Sequence, residues 1–202
     1  GASLGRTWHD RLMISNPATA SCPRDLPTPR HPDGPYRLMM VCTGNICRSA
    51  MAEIVMLDRL LAAGLAGRVE VASSGVSSEE RGNPMDSRAR RLLLSCGYGD
   101  GGAGGSGGAK VAARIASHRA HRITDAEIAG ADLILAMTAS HEREVQRRAQ
   151  RPDATEDLAR RIRMFREFDP AVSELIVSDP AAGAERRGTA VGLRASRGLG
   201  VP

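Results

Sequence analysis

One stretch constrains this chain more than any other: Val41-Cys42-Thr43-Gly44-Asn45-Ile46-Cys47-Arg48-Ser49-Ala50. An apolar run, Leu38 to Val41, leads into it. A segment with helical apolar spacing follows, in which Ile54, Val55, Leu57, Leu60 and Leu61 share a broad face. The pattern predicts a strand, a short loop, and a helix from about Ser49 to Ala63 that Gly64 can end. Five residues separate Cys42 from Arg48. A loop of that size can turn the main-chain N–H groups of residues 43 to 48 inward as an anion-binding nest, and the helix start adds its positive end. Gly44 permits a turn that residues with a Cβ resist. Arg48 can grip two oxygens of a tetrahedral anion in a fork. Cys42 then lies at the floor of the cup, in the kind of positive setting that favours a thiolate.

A cysteine and an arginine at this spacing also occur by chance, and cysteine is a common core residue. The preceding strand, Gly44, Asn45, the closing Arg48-Ser49 and the helix together make the pattern specific. In these residues the chain resembles the low-molecular-weight protein tyrosine phosphatases, whose loop reads very like Val41 to Ser49 and runs into a helix with Ala-Glu, here Ala52-Glu53. Ala50 stands where that family has a proline. Ser73-Ser74-Gly75, after an alternating strand Val69 to Ala72, resembles a family turn. By that match Ser73 hydrogen-bonds into the loop; a turn serine bonding its own backbone is the alternative. Ser117-His118-Arg119-Ala120 resembles a segment whose histidine bonds the loop asparagine, with an ordinary core or surface histidine as the alternative. His9, His31, His121 and His141 carry no such signal. Gly82 to Asp86 also matches and starts a helix over Ser87 to Cys96, with Leu92, Leu93 and a buried, inert Cys96 on its inner face. Thr124-Asp125-Ala126-Glu127 reads as a capping box, Ala131 to Met137 as a buried parallel strand, and Thr138 as the cap of a helix through Arg148.

The resemblance spans roughly Arg37 to Gly183. It implies a flavodoxin-like α/β fold, a four-stranded parallel sheet with helices on both faces, with the active site at the carboxyl end of the first strand. It implies hydrolysis of phosphotyrosine through a phosphocysteine on Cys42. Arg48 with Thr43, Gly44, Asn45, Ile46, Cys47 and Ser49 would hold the phosphate, and no metal or other cofactor is needed. Asp179, in Ser178-Asp179-Pro180, is the acid that protonates the leaving oxygen. Asp169-Pro170 competes for that role but belongs to a Phe-Asp-Pro match that precedes the acid loop. Cys47 would trap an oxidised Cys42, or else is a small packing residue. Ile46 favours phosphotyrosine, since related arginine phosphatases have threonine there.

Three departures stand out. The family's aromatic wall ahead of Gly82 is replaced by Ser77-Ser78-Glu79-Glu80-Arg81, and the aromatics after Asp-Pro by Ala181-Ala182. Gly99 to Gly108 is a glycine-rich insertion expected to behave as a flexible linker. Residues 184 to 202 lack the apolar stripe of the family's closing helix.

Composition narrows the rest. The net charge is +5, yet aromatics make up only 2% and none interleave with the arginines, so nucleic acid is not expected as a partner. Cys22, Cys42, Cys47 and Cys96 show neither a disulfide framework nor zinc spacing and suit a reduced cytoplasm. No apolar run is long enough for a membrane span. Residues 1 to 36, rich in Pro, Arg, His and Ser, are expected to be a disordered extension. A monomer acting on a phosphotyrosine-containing protein is the expected state. Two rivals share the loop: a non-catalytic phosphate-binding protein, and a thiol-coupled arsenate reductase. The latter needs relay cysteines beyond the loop, where only Cys96 is available.

Overall fold

The central strand, β1 (Tyr36–Cys42), is buried from Leu38 onward on both faces, as its unbroken apolar run requires. In the computed structural model, which describes residues 26–99, 107–150 and 156–169, β1 pairs in parallel with β2 (Val69–Gly75) on one side and β3 (Leu133–Ala136) on the other. A short β4 (Ile162–Met164) completes a four-stranded parallel sheet in the order β2-β1-β3-β4. Residues 26–167 form one compact unit. The chain leaves β1 toward β2 and later returns to β1's other edge, so the strand order switches at the carboxyl end of β1, where Cys42 lies. Open parallel sheets bind ligands at such a switch point.

Period-two alternation divides the sheet's side chains. Met39, Val41, Ile134 and Ile162 pack against Ile128 of α4 (Asp125–Gly130) and Val145 and Ala149 of α5 (Ala139–Ala149). Helix α1 (Arg48–Ala62) packs on β1 and β2. Its Ala50 and Ile54 join Ala89 and Leu93 of α2 (Ser87–Ser95) and Val111 and Ile115 of α3 (Gly108–Ser117) in a second cluster. Each fully buried Ile or Val here contributes about 1.5–3 kcal/mol. Helix α6 (Glu156–Arg161) leads into β4.

Several expectations are corrected. Residues 26–35 join the fold, and Asp132 is the reason. Its carboxylate accepts from Arg30 N (2.6 Å) and Arg37 N (2.7 Å), and Arg161, buried beside it, also donates to Thr28 O (2.9 Å). Cys96 is exposed, and Leu92 is 54% exposed. The inner face of α2 is set by Ala89 and Leu93, four apart, which turns Leu92 outward; Cys96 is already the C-cap. The glycine insertion is not all linker. Gly107 sits against Leu61 of α1 and starts α3, whose Val111 and Ile115 carried the signal at i, i+4. The capping box at Thr124–Glu127 and the Thr138 cap are present. Expectations that fall on residues 1–25, 100–106, 151–155 and 170–202, among them Cys22, Asp179 and Ala181, lie outside the described residues.

Candidate active site

The loop from Cys42 to Arg48 joins β1 to α1. Its own backbone shape rests on Asn45, which takes a left-handed conformation (φ 59°). The special dihedral therefore belongs to Asn45 rather than to Gly44. Gly44 matters for space instead: a Cβ there would lie 2.8 Å from Glu80 Cγ. Glu80 thus leans over the loop, its carboxylate held by Asn83 Nδ2 (2.7 Å), in the stretch where aromatic residues are missing. Asparagine visits the left-handed region more readily than most residues, and here four bonds hold it. Asn45 Nδ2 donates to Ser73 Oγ (2.8 Å) and Ser49 Oγ (3.1 Å), while Oδ1 accepts His121 N (3.2 Å). Asn45 O accepts His118 Nε2 at 2.6 Å, so the proton of this buried ring sits on Nε2.

Neighbouring segments take the loop's carbonyls. Val76 N donates to Cys42 O, Ser77 N to Thr43 O and Asp86 N to Ile46 O. Gly75 lets this happen, because a Cβ there would lie 2.5 Å from Thr43 O and 3.2 Å from Asn45 N. The donors are left open. Among the described residues no main-chain N–H of residues 43–47 has a protein acceptor. Helix α1 begins without a side-chain cap, whereas Asp86, Thr124 and Thr138 cap α2, α4 and α5. A helix start left uncapped beside unpaired loop amides is a ready anion site.

Cys42 is buried at the foot of the loop, with Sγ 3.0 Å from Ser49 Oγ. Ser49 accepts from Asn45, so its single proton is free for Ser74 O (3.2 Å) or for the sulfur. It can therefore stabilise an anionic sulfur by turning the hydroxyl proton from Ser74 O toward Sγ. Cys47 differs: burial, then the Asp86 carboxylate and Cys42, push its thiol up against the pull of Arg48. Arg48 sits at the rim and donates Nη2 to Thr43 Oγ1 (3.1 Å).

The structure thus brings together Cys42, Thr43, Gly44, Asn45, Ile46, Cys47, Arg48, Ser49, Ser73 and His118. It also shows participants that the sequence reading passed over. Glu53, buried in α1, accepts from Ser73 Oγ and from Arg114 Nε of α3, which extends the Asn45 network to an ion pair whose arginine reaches the surface. His141 of α5, which carries no sequence signal, lies with Nε2 2.9 Å from Thr43 Oγ1. Among the described residues no cluster of three His, Cys, Asp or Glu is placed to hold a metal ion, and no helix is long and apolar enough to cross a membrane.

The model of the low molecular weight phosphotyrosine protein phosphatase family matches residues 37–104 and 109–192. The chain belongs to this family. A low molecular weight protein-tyrosine-phosphatase of Streptomyces coelicolor is 36% identical over 150 residues, covering 73% of this chain and 79% of that protein. The low molecular weight protein-tyrosine phosphatase A of Mycobacterium tuberculosis is 33% identical over 151 residues, covering 74% and 78%. Among solved structures, the low molecular weight protein tyrosine phosphatase of T. tengcongensis superposes with a TM-score of 0.50 at 33% identity, covering 66% of this chain and 75% of that one. The four-stranded parallel sheet with its helices is the fold this low molecular weight phosphatase shares with it.

Proposed function

We propose that this phosphatase hydrolyses phosphotyrosine and other aryl phosphate monoesters through a phosphocysteine on Cys42. One observation carries the reading: Cys42 lies beneath a loop whose amides have no protein acceptor, at the uncapped start of α1. A tetrahedral dianion supplies what those donors lack.

The Cys42 sulfur attacks phosphorus in line, the P–S bond forms and the bond to the aryl oxygen breaks. Arg48 and the loop amides hold the three equatorial oxygens; phosphoryl transfer is mainly positioning and charge stabilisation, so the loop supplies most of the catalysis. Asp179, within the stretch that matches the family, gives its proton to the leaving oxygen. It then takes a proton from the water that attacks phosphorus. The P–S bond breaks, inorganic phosphate leaves, and the departing thiolate accepts the Ser49 hydroxyl proton as a hydrogen bond. Burial and the Asp86 carboxylate push the Cys47 thiol up, which disfavours its thiolate and its use as a nucleophile.

Loss of aromatic walls sets the substrate range. Each aromatic contact to the substrate ring is worth about 0.5–1.5 kcal/mol, so phosphotyrosine peptides bind weakly while small aryl phosphates are still turned over. A low-micromolar Kd for such a peptide would contradict this. The arsenate relay is disfavoured by geometry: Cys96 stands at the far end of α2, roughly 15 Å along the helix from Asp86, which bonds the loop.

Assays of aryl phosphate hydrolysis and arsenate reduction on wild type, Cys42→Ser and Asp179→Ala separate the readings. Hydrolysis abolished in Cys42→Ser and reduced about 10²- to 10⁴-fold in Asp179→Ala supports the mechanism. Full turnover by Cys42→Ser rejects it.

A further inference from the structure

The rim arginine is connected to a buried histidine. Arg48 Nη2 donates to Thr43 Oγ1 at 3.1 Å. Its other neighbour is His141 Nε2, 2.9 Å away, and giving its own proton there completes the hydroxyl's bonding. Nε2 is then the acceptor, and the ring proton sits on Nδ1. It is donated to Thr138 Oγ1 at 3.0 Å, and Thr138 passes its own proton to Ser140 Oγ at 2.8 Å. Every donor along this chain points away from the guanidinium, so each bond polarises the next in the same sense. The ring is 4% exposed and has both nitrogens engaged.

The fold explains why the two ends meet. Strands β1 and β3 are adjacent and parallel, so the residues that follow each emerge side by side: Thr43 after β1, and the Thr138 cap with α5 after β3. Thr138 accepts the His141 amide as well as its ring proton, which fixes the ring from two sides.

We propose that His141 is a positioning residue that, through Thr43, holds Arg48 at the rim of the loop before an anion arrives. This rests on the phosphatase reading above, though its test does not need turnover. An arginine at an exposed rim has many rotamers, and ordering it on binding weakens affinity. A side chain already tethered binds an oxyanion more tightly. The arrangement requires a neutral ring. Burial, and then the Arg48 charge, lower the His141 pKa, which favours the neutral ring.

The experiment uses the full chain and inorganic phosphate as the probe, with Kd from titration calorimetry and KM and kcat for an aryl phosphate measured in parallel. His141→Leu is expected to weaken phosphate binding roughly three- to tenfold and to raise KM more than it lowers kcat. Thr43→Val gives the same loss. The double variant is no worse than either single one, because both break a single chain. His141→Gln, which places an amide oxygen near the Nε2 position, recovers most of the affinity. If His141→Leu does not fold, Thr43→Val and His141→Gln still carry the test. Unchanged phosphate affinity in the folded variants, additive losses in the double variant, or no recovery in His141→Gln overturns the proposal. Wild type that binds phosphate without hydrolysing esters rejects the phosphatase reading and leaves the tether intact. Wild type that does not bind phosphate overturns both.

Discussion

Asn45 carries more structural demands than any other residue of the loop. It is fully buried, left-handed, and bonded through both ends of its amide and through its carbonyl. Asn45→Ala keeps the His118 bond to the main-chain carbonyl but forces a residue without the three side-chain bonds into the same dihedral. We expect it to cost about 2–4 kcal/mol in urea unfolding, with loss of aryl phosphate turnover. Asn45→Gly relieves the dihedral but not the bonds, so its stability should fall between alanine and wild type. Near it, His121 and Glu127 make an ion pair at 2.8 Å. The hydrogen bond to Glu127 raises His121 above its usual 6.5. Burial works to raise Glu127, but the bonds from His121 and Thr124 outweigh it and hold its pKa at about 2. The histidine's share of stability is full below 6.5 and lost as pH rises through its raised value. The glutamate's share is present above 4.5 and lost as pH falls toward about 2. The pair therefore stabilises most between those limits. Unfolding at about pH 5.5 and about pH 9 should show a wild-type decrease that is smaller in His121→Gln; equal decreases would dismiss the pair.

At the level of elements, the loop is shaped by what surrounds it. Strand β2 ends in Gly75 against the loop backbone, so Gly75→Ala must displace Thr43 and Asn45. We predict a fall in kcat/KM of about 10²-fold, the usual consequence of a misplacement near 1 Å, with a stability loss of about 1–3 kcal/mol. Steady-state kinetics and urea unfolding check both. Sequence showed the strand–loop–helix unit clearly, because an apolar run, a short polar loop and a helical period adjoin one another. The family resemblance suggested Ser73 and His118 beside the loop but left a turn serine and an ordinary histidine open, and the bonds to Asn45 decide between them. Sequence did not show His141 or the Glu53–Arg114 pair. Their partners are 98 and 61 residues away in the chain, and only the adjacency of β1 with β3, and of α1 with α3, brings them together. Asn45 and Gly44 were both visible, but their division of labour, dihedral against space, depends on where Glu80 lies.

For the whole molecule, Asp132 is the tie. One buried carboxylate joins residues 26–35, the start of β1 and Arg161 just before β4. Asp132→Asn removes the charge that the Arg30 and Arg37 amides and the buried Arg161 face together, and we expect a loss of about 1.5–3 kcal/mol in urea unfolding. A loss below about 1 kcal/mol would mean the tie is no stronger than a surface pair. Composition hid this as well: a Pro- and Arg-rich segment reads as unfolded until the carboxylate that collects its amides is known. The central claim concerns the other end of β1, where sulfur, amides and guanidinium converge. Rapid quench of the enzyme with a phosphorus-labelled aryl phosphate, followed by peptide mapping, tests it most directly. Label should accumulate on the peptide bearing Cys42 in wild type and be absent in Cys42→Ser; label on another residue, or turnover with none on the protein, would contradict it.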